Sequence, residues 1–130
     1  MKLVTLKECS EELINQTLDC VFNVHRELGP GFLESVYEKA LLFELLAKGL
    51  KAESQRELPV TYKGHDLGIG FRADIIVEDS LLLEIKCVEQ LTKIHLAQVI
   101  NYLKLLQYKR GFLLNFNVRL MKQGTKRVSI

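Results

Sequence analysis

Two apolar runs separated by a short polar break constrain the fold of this chain most. Residues 71–77 and 81–87 are rich in branched apolar side chains, and the three residues between them are polar. This pattern predicts two buried strands joined by a turn. Asp74 lies in the first run, and Glu84 and Lys86 lie in the second. Ionised side chains are rarely buried unless they are paired or bind a metal, so these residues are candidates for a functional site.

The length of the turn decides whether these charges meet. In a three-residue hairpin loop Val77 faces Leu81, and counting back places Asp74 directly opposite Glu84. The Cβ atoms of such a pair lie roughly 4.5–5.5 Å apart, where like charges repel and a divalent cation would make the interaction attractive. Lys86 would point to the same face and would suit a phosphate ester. A two-residue turn would instead place the two carboxylates on opposite faces, and Glu84 and Lys86 could also form the solvated face of an edge strand.

The composition indicates an ordinary globular chain. Of the 130 residues, 48% are hydrophobic and 26% are charged, so we predict that residues 1–130 form a single domain. The formal net charge of +2 is too small to indicate nucleic-acid binding by itself. The three cysteines form no CxxC pair, which favours reduced thiols over a zinc site or a disulfide framework. Without a signal-peptide pattern or a membrane-spanning apolar stretch, we expect a cytoplasmic protein and no membrane partner.

The order of the predicted elements favours an α/β fold. Ser10 is a candidate cap for the first helix, and Pro59 indicates that the first strand is an edge strand or is bulged. The predicted order α-α-β-β-β-α-β-β implies a mixed sheet with helices packed on it. We predict helices over about residues 10–28, 33–48 and 91–108, and strands over about 52–62, 67–77, 81–87, 112–118 and 125–130.

Three further polar side chains fall on apolar helix faces. Glu34 begins the second helix, where it either faces the sheet as an oxygen ligand or interacts favourably with the helix dipole. Gln98 and Tyr102 lie one turn apart on the third helix, directly after the strand that carries Glu84 and Lys86. They either reach the end of the sheet with the charged residues or mark the boundary of an amphipathic helix face.

Several motifs together resemble a known family. Gly31, Glu34 and Tyr37 have the spacing that names the GxxExxY family of small bacterial and archaeal proteins. This family is similar to the PD-(D/E)XK nuclease superfamily, especially to its exonucleases with a QxxxY helix. The resemblance implies a restriction-endonuclease-like fold, a mixed β-sheet core flanked by helices. It covers nearly the whole chain and includes residues 24–31, 71–74, 84–86 and 98–102.

The resemblance also implies a metal site. Asp74 and Glu84 would bind Mg²⁺ or Mn²⁺, and the carbonyl group of Ile85 would add a ligand. Glu34 would complete this site, often through water. Ala73 stands where the superfamily name has a proline, a departure that many members share.

The remaining matching residues are implied to act on the substrate. Lys86 would orient the attacking water or stabilise the charged state at phosphorus. Gln98 and Tyr102 would hold substrate phosphate or the shape of the site. The sequence has no interleaving of aromatic and basic residues that would indicate a base-stacking platform.

Two classes of function remain open at this point. The first is a metal-dependent nuclease that hydrolyses DNA, with Asp74, Glu84, Lys86 and Glu34 as catalytic residues. The second is a non-catalytic nucleic-acid-binding or assembly module, because a fold does not guarantee activity. Cleavage of RNA or of a nucleotide is a third option. Since a small catalytic domain often needs partners to enclose DNA, the sequence also leaves a homo-oligomer open.

Overall fold

The computed structural model describes residues 5–130, which form four helices and one five-stranded sheet. The predicted order of elements is confirmed, except that a short helix before the last strand was not predicted. Four residues are too few to show a helical period. In chain order the elements are α1 (Glu11–Leu28), α2 (Glu34–Ala47), β1 (Ala52–Tyr62), β2 (His65–Val77), β3 (Leu81–Lys86), α3 (Lys93–Leu106), β4 (Arg110–Asn115), α4 (Met121–Gly124) and β5 (Thr125–Ser129).

The sheet is mixed, as predicted. Its strands lie in the order β1-β2-β3-β4-β5. Neighbouring strands are antiparallel except β3 and β4, which run parallel. A parallel pair needs a crossover connection, and α3 provides it between β3 and β4. The strand that carries Glu84 and Lys86 therefore lies in the middle of the sheet and not at an edge.

The turn between β2 and β3 has the predicted three-residue length. Val77 pairs with Leu81, and Glu78 and Asp79 in the turn have positive φ angles of 49° and 48°. The paired register continues to Ile75 opposite Leu83 and ends there. The two strands therefore separate just before Asp74 and Glu84, which would be the next pair.

The hairpin of β1 and β2 confirms the prediction for Pro59. β1 is an edge strand, and the register shifts between Pro59 and Thr61, as at a β-bulge. Gly70 pairs with Pro59, and a Cβ atom at Gly70 would lie 2.2 Å from the carbonyl oxygen of Leu58. Only glycine allows the two strands to approach this closely. The turn at Lys63 and Gly64 is tighter than predicted, so β2 begins two residues earlier.

The first two helices begin within one residue of their predicted starts, whereas the third begins two residues late and ends two residues early. The Ser10 side chain accepts a hydrogen bond from the Leu13 backbone and caps α1. Gln107 adopts the left-handed conformation (φ 60°) and ends α3, so Arg110 opens β4 instead of ending the helix. Within residues 5–130, the structure contains no helix with the length and hydrophobicity needed to cross a membrane.

Each face of the sheet packs against helices. On one face α1 and α2 cover side chains such as Ile75, Leu83 and Leu114. On the other face α3 covers Ile76 and Leu82 together with their neighbours. The alternation of β3 between the two clusters places Leu82, Glu84 and Lys86 on the α3 side.

Candidate active site

Asp74 and Glu84 meet where β2 and β3 separate. The backbone N–H of Asp74 donates a hydrogen bond to Glu84 Oε1 (3.1 Å), and the backbone N–H of Ile85 donates to Asp74 Oδ2 (2.8 Å). Each carboxylate thus accepts from the backbone of the opposite strand, where a regular ladder would have backbone pairs. The two acidic side chains are consequently held by rigid strands and lie close together.

Burial makes this pair electrostatically unfavourable without a positive charge. Glu84 is only 4% exposed. Burial, followed by the adjacent negative charge of Asp74, raises the pKa of Glu84 to about 9. The Lys86 ammonium opposes this shift but does not offset it. A cation between the two carboxylates would stabilise both charges at once.

Lys86 ends β3 beside the pair. It is half-buried, and by strand alternation it shares the α3-side face with Glu84. In the parallel ladder it lies opposite Asn115 of β4. Because β3 lies in the middle of the sheet, the backbone of Lys86 is held in a fixed position. The Lys86 ammonium is close enough to Glu84 to lower the pKa of that carboxyl group.

The loop before α2 places Glu34, and Tyr37 holds that loop. The buried Tyr37 hydroxyl donates to the carbonyl of Gly29 and accepts from the backbone N–H of Phe32 (3.2 Å). Its ring stacks on Phe116, with centroids 4.6 Å apart. The tyrosine of the sequence motif therefore anchors the turn from which Glu34 starts the helix.

Glu34 reaches the same cleft as Asp74 although it is exposed. The cleft has a volume of about 220 Å³. Glu34 also lies in the first turn of α2, where the helix dipole favours a negative charge. Its place in the cleft and its place near the helix dipole are therefore compatible. The residues that line the cleft are Glu34, Ser35, Glu38, Gln55, Asp74 and Ile85.

Glu38 and Gln55 are residues of this cleft that sequence reasoning did not assign. The Gln55 amide donates to Glu38 Oε1 (2.6 Å) and lies 3.5 Å from Asp74 Oδ1. Glu38 is one helical turn after Glu34, so helix periodicity could have indicated it. Gln55 could be found only from the register of β1 and β2, which places it opposite Asp74.

Two residues of α3, Tyr102 and Gln98, were also predicted to belong to the site. Tyr102 is half-buried, and burial together with the charges of Glu84 and Asp74 raises its pKa to about 12. Gln98 lies one turn earlier and is also half-buried. Among the hydrogen bonds of residues 5–130, none joins Gln98 to the carboxylates or to Lys86. No hydrogen bond in this part of the chain joins Tyr102 to these groups either, and its link to the acidic pair is the effect of their charges on its pKa.

The protein side of a metal site is a pair and not a preformed cluster. In the part of the chain that the structure describes, no three His, Cys, Asp or Glu side chains gather closely enough to hold an ion. Asp74 and Glu84 supply two adjacent carboxylates. Asp74, Ile85 and Glu34 line the cleft, whereas Glu84 lies on the α3-side face of β3. These oxygen donors suit Mg²⁺ or Mn²⁺, and a cation beside them would favour the charged form of Glu84, whose pKa is raised to about 9 by burial and by the charge of Asp74.

The fold and the site together define a restriction-endonuclease-like protein. A mixed sheet between helices carries two carboxylates and a lysine where two central strands separate. The family model of the PD-(D/E)XK nuclease superfamily matches residues 11–128, and the chain belongs to this superfamily. Searches of curated proteins and of solved structures gave no match. The predicted superfamily and fold are thereby confirmed.

Proposed function

We propose that this chain is a metal-dependent nuclease that hydrolyses phosphodiester bonds of DNA, with Asp74, Glu84, Lys86 and Glu34 as catalytic residues. The observation that carries the proposal is the mutual contact of the Asp74 and Glu84 segments at the point where β2 and β3 separate. Membership of a nuclease superfamily supports a nucleic acid as the substrate. A protein without catalytic use for these residues would gain nothing from keeping two like charges together.

Asp74, Glu84, the Ile85 carbonyl and Glu34 would hold Mg²⁺ or Mn²⁺. Hard divalent cations prefer oxygen ligands, and Mg²⁺ is commonly held by one or two carboxylates together with waters and substrate phosphate. Two adjacent carboxylates are thus sufficient protein ligands, and Glu34 would act across the cleft. The cation would supply the activation of water and the stabilisation of charge on the phosphate.

Lys86, Tyr102 and Gln98 would act on the substrate. Lys86 offers a fixed positive charge beside Glu84, and it would stabilise the charge that develops at phosphorus. That interaction is stronger in a half-buried site than in bulk water. The Tyr102 hydroxyl would donate a hydrogen bond to phosphate, and Gln98 would do so one turn earlier.

We further propose that the chain belongs to the GxxExxY branch of the superfamily. The contact of Tyr37 with the loop at Gly29 supports this, because it explains why a tyrosine three residues after Glu34 is needed to place that glutamate. This branch has no firmly assigned biological role. The proposal therefore concerns the chemistry of the site.

One observation favours a non-catalytic nucleic-acid-binding module as the second candidate. The described residues do not gather three metal-ligating side chains, so Asp74 and Glu84 would hold a cation more weakly than a three-ligand site would. Such a module would bind nucleic acid without cleaving it. Activity measurements with added metal distinguish the two functions.

The test uses purified protein, labelled DNA and either Mn²⁺ or Mg²⁺. We expect cleavage that stops on chelation, and Lys86→Ala should lower the turnover number roughly a hundred- to thousandfold while Mn²⁺ still binds. The exposed Lys51→Ala variant, purified in parallel, is the matched control and should cleave as fast as wild type. Equal rates for Lys86→Ala and wild type would indicate a contaminating nuclease. No cleavage of single-stranded, duplex or branched DNA would favour the binding module, and cleavage of RNA alone would change the substrate.

A further inference from the structure

A groove between α3 and the β1–β2 hairpin lies beside the candidate active site. It has a volume of about 370 Å³, and we call it the Phe71 groove. The ring of Phe71 is tilted against the ring of Tyr102, with centroids 4.8 Å apart, and still remains 37% exposed. The residues that line the groove are Val60, Phe71, Asn101, Lys104 and Leu105.

The Phe71 groove is close to the acidic pair. Phe71 precedes Asp74 by three residues on β2, so their Cα atoms are roughly 10 Å apart at about 3.3 Å per residue. That distance equals about three stacked base steps of 3.4 Å, or fewer when a strand is stretched. Tyr102, which the proposed function assigns to the active site, contacts the ring of Phe71 and so joins the two places.

The side chains of the Phe71 groove are complementary to a nucleotide. An exposed aromatic ring offers a face on which any base can stack, and Val60 and Leu105 add apolar walls. Asn101 and Lys104 are exposed and lie three residues apart on α3, so they share one face of that helix. The Asn101 amide can pair with the edge of a base, and the Lys104 ammonium can pair with phosphate. A purely apolar partner would leave both polar groups unused.

We propose that the Phe71 groove binds an unpaired nucleobase of the DNA strand, a few nucleotides from the phosphate at Asp74 and Glu84. The inference rests on the proposed function for its choice of DNA, but it requires only binding and not cleavage. A base that remains stacked in a duplex cannot reach the ring of Phe71, because it must first leave the stack. The groove therefore selects single-stranded DNA or frayed ends over intact duplex.

Binding of short fluorescent oligonucleotides to the full-length chain tests this inference. The assay uses the Asp74→Asn background without divalent metal, so that no strand is cleaved. Phe71→Ala should weaken binding of a single strand about five- to a hundredfold, the range expected from loss of one base–aromatic contact. Phe71→Trp should restore binding, whereas Phe71→Leu should not, because leucine keeps apolar area without an aromatic face.

Two controls separate the base from the phosphates and from folding. Phe43→Ala removes an equally large ring that is 72% exposed on α2, outside the groove, and should leave binding unchanged. A strand of abasic nucleotides keeps every phosphate, and wild type and Phe71→Ala should bind it equally. Lys104→Gln should weaken binding of both strands and reduce the salt dependence by about one phosphate contact. Thermal unfolding of each variant verifies that it folds.

The outcomes for the groove and for the nuclease are distinguishable. Equal binding by Phe71→Ala and wild type, equal binding by Phe71→Leu and Phe71→Trp, or equal affinity for duplex and single strand would overturn the groove inference. If metal-dependent cleavage were observed at the same time, the proposed function would stand. Base-dependent binding without any cleavage would instead support the groove and favour a binding module. No binding of any strand by the folded protein would overturn the groove inference as well.

Discussion

At the scale of single residues, Gln55 shows the clearest conflict between local preference and position. It lies opposite Asp74 within the β1–β2 register, yet its φ angle is 58°, in the left-handed region. A non-glycine residue in this conformation costs on the order of 1–2 kcal/mol. In this conformation the Gln55 side chain donates a hydrogen bond to Glu38. Strained residues are often found at functional sites, and this one aims its amide at a proposed metal ligand.

Replacing Gln55 should separate stability from activity. Gln55→Gly removes both the strain and the amide, so we expect stability within about 1 kcal/mol of wild type, because the relief of strain is offset by the extra backbone freedom of glycine. Metal affinity or turnover should fall roughly ten- to a hundredfold, as for other residues that orient ligands. Lys63→Gly is the matched control, since Lys63 also has a positive φ (50°) but lies in the hairpin turn. Unchanged activity in Gln55→Gly would make the amide irrelevant to the site.

The acidic pair should make the protein's stability depend on divalent cations. A cation that binds only the folded state stabilises it by about 2.7 kcal/mol at a hundred times its dissociation constant. We therefore expect Mn²⁺ to raise the melting temperature, and Asp74→Asn to weaken this response. Asp19→Asn, an exposed substitution on α1, should respond like wild type. Equal responses of all three proteins would show that the cation binds elsewhere.

At the scale of elements, the turn between β2 and β3 is held by a polar network. Asp79 in the turn accepts hydrogen bonds from the Tyr108 hydroxyl (2.5 Å), from Arg56 (3.0 Å) and from Lys7 (3.1 Å). Tyr108 follows α3, Arg56 belongs to β1, and Lys7 precedes α1. The network thus ties three parts of the chain to the turn whose length sets the register of Asp74 and Glu84.

The stability supplied by this network should depend on pH. The hydrogen bonds from Tyr108, Lys7 and Arg56 hold the pKa of Asp79 well below its usual value of 3.8. A depressed carboxyl pKa contributes stability above the unfolded pKa and loses that contribution as the pH falls below it. Urea unfolding should therefore find Asp79→Asn less stable than wild type at pH 7, with a difference that shrinks below about pH 3.8. The Asp79 side chain is 46% exposed, so solvent screening will keep the effect modest.

Asp66→Asn controls for a general loss of negative charge at a turn. Asp66 lies in the other hairpin, where its side chain accepts a hydrogen bond from the nearby backbone N–H of Gly68 (2.8 Å). Its substitution should change stability little across the same pH range. A difference between Asp79→Asn and wild type that stayed constant with pH would mean that the network acts through packing and not through charge.

At the scale of the whole molecule, one sheet connects two apolar cores. Ile75 faces the α1 and α2 side, and its neighbour Ile76 faces the α3 side. Both are almost completely buried, with exposures of 0% and 1%. Because successive residues of β2 support opposite cores, a loss of packing on either face should be transmitted through the same strand to the candidate active site.

Cooperative unfolding tests whether the chain behaves as one domain. Ile75→Ala and Ile76→Ala should each lower the free energy of unfolding by about 2–5 kcal/mol. In both variants, tyrosine fluorescence and far-ultraviolet circular dichroism should report the same single transition in urea. If, within one variant, fluorescence and circular dichroism reported transitions at different urea concentrations, the two cores would unfold independently.

The local part of this structure was predictable because it depends on residues close together in sequence. The apolar period predicted the strands and helices, Ser10 and Pro59 indicated a cap and an edge, and the three polar residues after Val77 set the register of β2 against β3. The end of α3 was wrong because Gln107 adopts a left-handed conformation, for which its side chain gives no signal. Asp74, Glu84 and Lys86 could be predicted as site residues because charge inside an apolar run is costly wherever the strand lies.

Only the tertiary structure decided which distant side chains lie near Asp74, Glu84 and Lys86. Gln55 reaches Asp74 through the β1–β2 register, and Phe71 meets Lys104 and Asn101 because α3 crosses the same face of the sheet. Along the chain these residues show no interleaved pattern, so the sequence alone argued against a base-stacking surface. The sequence by itself determined the strands, the charges within them and their local register. Contacts across many residues depend on how the sheet twists and where helices pack, and local periodicity does not specify either.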